Sequence, residues 1–213
     1  KKMKIKVNKN IESGIDWLVN SGIQSIDNSE KHGGFAAWYD LDAKKYAFTY
    51  SEITGYALNL LISFNNKAKT PSEKIVNSIK LATDYLINKA FEEDFGAVKC
   101  RYTKDKGWLE NYCTFDNGIV ANALTNKYRM DGDHQALKVA KTILETLMDK
   151  LFYGEGFYAR YITADRHYQN EREKWSTCFG SFHAKMAIPF LNMYDLTEDK
   201  KYLRIVENVL KEV

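Results

Sequence analysis

Two acidic residues, Glu52 and Asp116, stand where chemistry is most readily placed, because each sits in a short phrase that the chain repeats. The phrase reads Tyr50-Ser51-Glu52-Ile53-Thr54-Gly55, then Cys113-Thr114-Phe115-Asp116-Asn117-Gly118, then Trp175-Ser176-Thr177-Cys178-Phe179-Gly180. Every copy has a hydroxyl residue four places before a glycine, with an apolar, helix-compatible run behind it. Two carboxyl groups can divide acid–base work, one donating a proton while the other accepts. The third copy carries Thr177 and Cys178 instead, so the repeat itself does not demand a carboxylate. Glu52 and Asp116 are also offset, three and two places before their glycines. The competing reading of both is helix N-capping, where acidic and hydroxyl side chains are favoured because they accept from the free backbone N–H groups. Ser51, Thr114 and Ser176 are the better candidates for that capping role.

Other polar residues gather near the same phrases. Arg101, Arg160 and Arg166 carry guanidinium forks that match carboxylates bidentately. His167 and His183 are possible acid–base groups, although a lone histidine inside a helix, as His183 is expected to be, is more often a satisfied core residue. Glu110 and Asp165 are spare carboxylates, equally consistent with solvated positions. There is no glycine-rich phosphate loop, His-x-x-x-His, Cys-x-x-Cys or serine nucleophile elbow. Cys178 and His183 are five residues apart, off the one-face spacing of a helical metal pair. No metal and no cofactor are therefore expected.

The elements that must position these residues repeat as well. The glycines of the phrase are 63 and 62 residues apart (118 − 55 and 180 − 118), a period that makes the repeating unit a supersecondary element. Upstream of each phrase lies a glycine, a short β-favouring stretch and an aromatic: Gly34 to Tyr39, Gly96 to Tyr102 and Gly156 to Tyr161. This suits a brief extended segment with one wet face. Further upstream is an amphipathic helix, marked by Ile75, Ile79, Ala82 and Leu86, then by Val139, Ile143 and Leu147. Thr70-Pro71-Ser72-Glu73 supplies the first of these with a start signal. Thr197 to Val213 opens the same helix a fourth time, with Leu203, Val206 and Leu210 expected in register. Behind each phrase a second helix is apolar around most of its circumference (Ile53, Tyr56, Ala57, Leu60, Leu61 and Phe64 in the first), as in a helix covered on several sides. The expectation is an all-α chain of helical hairpins, about three and a half of them, with short strands in the loops at one end. Residues 1–213 read as a single domain, and the half hairpin at its end reads as a fragment or an incomplete ring.

Composition narrows the function classes. Net charge is +3, too small to imply a nucleic-acid partner, and the lysines at positions 1, 2, 4 and 6 read as a solvated end. No stretch approaches the roughly 18–20 apolar residues of a membrane span. Three cysteines without CxxC spacing read as reduced thiols, which favours the cytoplasm. The compartment stays open, since a trimmed signal peptide would leave no trace. The unusual feature is aromatic content, with 14 Tyr, 11 Phe and 4 Trp. Many of these rings fall in the loop segments, where they either form a binding platform or plug the loops into a local core.

This pattern resembles the six-hairpin glycosidase-like superfamily, the (α/α) toroids, with no single family indicated. The residues that carry the resemblance are Gly33 to Tyr39, Tyr50 to Tyr56, and Thr114-Phe-Asp-Asn-Gly118. The last is similar to the Thr-aromatic-Asp/Asn-x-Gly/Ala signature that opens inner helices in such proteins. The chain departs from a full toroid in having about half the hairpins. The resemblance implies that the loops leading into the inner helices line one mouth of a ring, and that this mouth takes an oligo- or polysaccharide. Glu52 and Asp116 would then be the two carboxyl groups that flank a scissile glycosidic bond. Trp38, Tyr39, Tyr50, Tyr102, Tyr112, Tyr161 and Trp175 would offer rings to sugar faces. Arg101, Arg160, Arg166 and His167 would contact polar groups, and the arginines point to a uronate-containing glycan. The implied activity is that of a glycoside hydrolase, with a uronate lyase or epimerase as the alternative. A non-catalytic helical-repeat module that binds glycan or protein is the competing class. Oligomeric state is not legible.

Overall fold

The computed structural model of the chain describes residues 9–68, 70, 72–109, 111–154, 156–164, 166–170, 177–178 and 180–212. Seven α-helices run through these residues: α1 (Lys9–Asn20), α2 (Ser51–Asn65), α3 (Glu73–Tyr85), α4 (Thr114–Asp131), α5 (His134–Thr146), α6 (Ala187–Thr197) and α7 (Lys200–Glu212). They pair as the expected hairpins, with α2, α4 and α6 behind the three phrases and α1, α3, α5 and α7 as the amphipathic partners. The helices α2 and α4 pack on each other, α4 packs on α5 and α6, and α6 packs on α7. One buried cluster runs through these contacts from Ile15 to Val209.

The amphipathic helices bury the residues that their spacing predicts. In α3 these are Ile75, Ile79 and Ala82, and in α5 they are Val139 and Ile143, with Ala140 buried beside them. Both helices widen into a π-helical last turn, Leu86–Ala90 and Leu147–Leu151, whose leucines 86 and 147 are fully buried. The fourth helix differs from its predicted register. In α7 the buried residues are Tyr202, Ile205, Val206 and Val209, whereas Leu210 is exposed. The buried pairs 78/79, 139/140 and 205/206 are 61 and then 66 residues apart, so the third unit is longer than an even period allows. The inner helices are also less enclosed than predicted. Tyr56 and Leu60 of α2, and Ile188 and Leu191 of α6, are exposed on a side that no described element covers.

Ten short strands join the hairpins: β1 (Tyr39–Asp40), β2 (Lys45–Tyr46), β3 (Thr49–Tyr50), β4 (Phe91–Glu92), β5 (Ala97–Val98), β6 (Arg101–Thr103), β7 (Gly107–Leu109), β8 (Asn111–Cys113), β9 (Arg160–Ile162) and β10 (His167–Gln169). All pairings are antiparallel. Two of them set the site. The strand leading into α2 pairs with the next hairpin (β3 with β6), and the strand leading into α4 does the same (β8 with β9). The register places Tyr50 opposite Arg101 and Cys113 opposite Arg160. The glycine-aromatic segments have the expected single wet face: Phe35, Ala97, Val98 and Phe157 are fully buried and plug each loop into the core, while Lys99, Arg101, Tyr158 and Arg160 keep partial exposure beside buried neighbours.

The phrase itself is a clamp. Ser51 and Thr114 are the first helical residues, not caps: Tyr50 and Cys113 hold the N-cap positions without a side-chain cap bond. Ser51 donates from its N–H to Cys100 O (3.1 Å) and from its hydroxyl to Lys99 O (2.6 Å). Thr114 repeats this with Ala159 O (2.9 Å) and Tyr158 O (2.5 Å). The residue before each glycine grips its own hairpin. Thr54 Oγ1 accepts from the Phe35 N–H (2.9 Å), and Asn117 Oδ1 accepts from the Val98 N–H (2.7 Å). The glycine then allows close approach, since a Cβ on Gly55 would lie 3.3 Å from the Val120 backbone, and one on Gly118 would lie 2.3 Å from Met186 Sδ.

Candidate active site

At the end of the hairpins where α2 and α4 begin lies a cavity of about 230 Å³, lined by Tyr50, Glu52, Cys100, Arg101, Leu109, Cys113, Phe115, Asp116, Arg160, Phe182 and His183. The helix starts and the two cross-hairpin strand pairs supply most of this lining. Five sequence-predicted residues are therefore brought together: Glu52, Asp116, Tyr50, Arg101 and Arg160. Trp38 and Tyr39 are outside the cavity, about half exposed, on the β1–β2 hairpin, where Trp38 packs edge-on against Phe48. Tyr102 leans on Trp108. Tyr112, 3% exposed, stacks on Phe95 and is a packing ring, not a platform; Tyr161 also stacks on Phe95. Arg166 lies in the β9–β10 turn with φ 51°, and His167 is exposed beside it on β10. Neither lines the cavity. Trp175, Glu110, Asp165 and Ser176 lie outside the described residues.

The carboxyl pair is the centre of the site. Asp116 is 4% exposed, and its Oδ2 is buried with no hydrogen-bond partner among the described residues. Burial, then the charges of Cys100 and Glu52, push its pKa well above the usual carboxylate range. Two effects oppose each other here. The start of α4 favours an anion by roughly 0.3–2 kcal/mol. Removing a carboxylate from water shifts its pKa by up to about 3–5 units, several kcal/mol. Desolvation wins, and the neutral acid is the favoured form.

Glu52 is half-buried, and burial raises its pKa too, but Tyr50, a hydrogen bond with Asp116 and the charge of Lys185 all pull it back. The proton of the pair thus belongs on Asp116, with Glu52 accepting. Lys185 is placed by two rings, its Nζ lying 5.6 Å from the Tyr56 centroid and 5.9 Å from that of Phe115. Glu52 and Asp116 line one cavity and each shifts the other's ionisation, so the two carboxyl groups ionise interdependently.

Sequence reasoning did not select Cys100, Leu109, Cys113, Phe115 or Phe182, and it favoured a core role for His183. Cys113 was findable: it precedes Thr114 as Tyr50 precedes Ser51, at the helix start. Cys100 immediately precedes Arg101, the residue that the strand register carries to the start of α2. His183, 1% exposed, is both core and lining: burial lowers its pKa to about 4, and the Gly180 N–H donates to its Nδ1 (3.2 Å). It is therefore a neutral imidazole with its proton on Nε2. The thiol of Cys100 is brought down to about 7, chiefly by a hydrogen bond with Cys113, while that bond and burial push Cys113 well up. Cys100, Cys113 and Asp116 each offer an atom within 4.8 Å of the others, close enough to bridge an ion. Holding one would require two thiolates and a carboxylate side by side. Burial favours the protonated forms of Cys113 and Asp116, so the donor set fits proton sharing better than metal binding.

No protein-family profile matches the sequence, and no curated protein matches it. Solved structures do. A sugar epimerase from a ruminal bacterium superposes with a TM-score of 0.73 at 16% identity, covering 94% of this chain and 53% of the other. A D-mannose isomerase gives 0.74 at 14% identity, covering 93% and 51%. A GH76 α-mannanase from Bacteroides thetaiotaomicron gives 0.64 at 17% identity, covering 80% and 45%. The chain thus spans about half the length of the structures it matches. It shares the helical-hairpin (α/α) fold of these structures.

Proposed function

We propose that this chain carries the acid–base part of a carbohydrate-active site, in which Asp116 exchanges a proton with a saccharide held at the cavity mouth. The observation that carries the reading is a buried carboxyl lining one cavity with Arg101 and Arg160, in surroundings that raise its pKa well above the usual range. A carboxyl kept neutral near pH 7 is what protonation of a leaving glycosidic oxygen needs, so glycoside hydrolysis is the first reading. Glu52 then tunes and reloads the acid. The cavity is smaller than the roughly 300–1,000 Å³ of sites for drug-sized ligands, which suits one sugar ring at the reacting position. Two arginines at the rim support a uronate there. The similar structures include a mannanase, an epimerase and an isomerase, all named for reactions of sugars.

A second reading, sugar isomerisation or epimerisation, is favoured by one observation: Glu52 and Asp116 line the same small cavity and shift each other's ionisation, a pair suited to moving a proton to and from one sugar carbon. One experiment separates the readings. The chain and its Asp116→Asn and Glu52→Gln variants are incubated with uronate-containing and neutral oligosaccharides, and with monosaccharides in heavy water. New reducing ends lost in Asp116→Asn support hydrolysis. Deuterium incorporated at a sugar C–H position, lost in the same variant, supports isomerisation. Binding without turnover supports the non-catalytic module, and turnover unchanged in both variants contradicts this site.

A further inference from the structure

The cavity holds two thiols that neither reading of the sugar chemistry uses. Cys100 follows the β5 strand, and Cys113 closes β8 at the start of α4. The backbone brings them together, because the Cys100 N–H donates to Asn111 O (3.1 Å), two residues before Cys113. Their sulfur atoms lie within 4.8 Å of each other. Both face the cavity, so a small solute can reach them although Cys100 is buried. We propose that Cys100 and Cys113 form a peroxide-responsive dithiol, with Cys100 the residue oxidised first and Cys113 the one that resolves it into an intramolecular disulfide.

The chemistry balances with hydrogen peroxide as the oxidant. The Cys100 thiolate attacks one peroxide oxygen. The S–O bond forms, the O–O bond breaks, and the hydroxide released takes up the proton that the Cys100 thiol gave up on ionising. Cys113 sulfur then attacks the Cys100 sulfenic acid. The S–S bond forms, the S–O bond breaks, and the departing hydroxide leaves as water with the Cys113 proton. Two thiols and one peroxide become a disulfide and two waters. The assignment of roles follows from ionisation, since the thiolate is the reactive form and the Cys100 thiol is the more acidic of the two. A disulfide needs the sulfurs about 2 Å apart, a closure that side-chain rotation toward the shared cavity can supply. Cys178, in the third phrase, has no place in this pair and serves as an internal control.

The proposal is independent of the substrate assignment, and its test uses no sugar. The chain is treated with graded hydrogen peroxide, quenched, denatured and alkylated, and its cysteine peptides are mapped by mass spectrometry. The expected result is a linked Cys100–Cys113 peptide lacking two hydrogens, within one chain, reversed by a dithiol reductant, with Cys178 still alkylated. Its formation should quicken as pH rises through about 7. In Cys113→Ser the Cys100 sulfenic acid should persist and be captured by dimedone. In Cys100→Ser no linked peptide should form. Full alkylation of both thiols in the wild-type chain at peroxide doses that oxidise methionine would overturn the proposal. So would a linkage that joins Cys178 or two chains.

Discussion

The first turns of α2 and α4 are built alike and behave differently. At each, a hydroxyl bonds the next hairpin, a polar side chain before the glycine bonds its own hairpin, and the glycine admits a neighbour. Yet Glu52 is half-buried and faces Lys185, whereas Asp116, one residue deeper into its helix, is enclosed with an oxygen that meets no donor among the described residues. A shift of one position along the first turn separates an ordinary acceptor from a retained proton. The clamp is architectural, and the acid's behaviour is set by what surrounds it.

The comparison breaks most visibly in activity. If Asp116 donates the proton, Asp116→Asn should lower kcat by about 10²–10⁴, the usual contribution of a general acid. Glu52→Gln should cost less, since Asp116 keeps its proton without it. Initial rates on the best oligosaccharide from the panel above would measure both. Equal losses would mean that the two helix starts are functionally alike.

The clamps give the next effect. Asn117→Leu removes an acceptor for the Val98 N–H and donors to Val98 O and Cys113 O, in a fully buried setting. Leaving those groups unpaired should cost about 3 kcal/mol, read by urea denaturation. Ser51→Ala loses one hydroxyl bond and should cost about 1 kcal/mol.

Smaller and pH-dependent effects sharpen the contrast between acid and base. Because the native pKa of Asp116 is raised, the unfolded chain releases that proton first as pH increases. Stability should therefore fall from about pH 4 upward through the native pKa. Asp116→Asn removes this burden and should gain stability, relative to wild type, on going from pH 4 to pH 8. His183 has the opposite sign. Its pKa falls from 6.5 to about 4, so stability should be lost as pH drops through that window, by about 3 kcal/mol. His183→Gln should flatten that limb, and an unchanged limb would place His183 in contact with solvent.

Much of the fold was legible because it is written in periodicity. The hairpins, the mouth and the glycine contacts follow from spacings that physics makes redundant, since many apolar residues report the same face. The register of α7 was not, because the longer third unit shifts the buried set while leaving a plausible leucine pattern at 203 and 210. For the site, Glu52, Asp116 and the two arginines were legible from the phrase and from the Arg-Tyr elements. The hydroxyls were misassigned as caps, because a cap and a cross-hairpin donor look identical in sequence. Cys100 and Cys113 were passed over because their meeting depends on how the loop between α3 and α4 folds back on itself, bringing the Cys100 N–H to Asn111 O, which no periodic pattern encodes. The meeting of the two carboxyls in one cavity depends on the packing of α2 against α4 and on side-chain direction.

The central claim is that Asp116 holds a proton at neutral pH. It can be read directly by following aspartate carboxyl ¹³C shifts against pH in the labelled chain, with Asp116→Asn supplying the assignment. The account predicts a resonance that stays at the neutral-acid position through pH 7, while exposed aspartates titrate near about 4. An Asp116 resonance that moves with those of the exposed aspartates would contradict it.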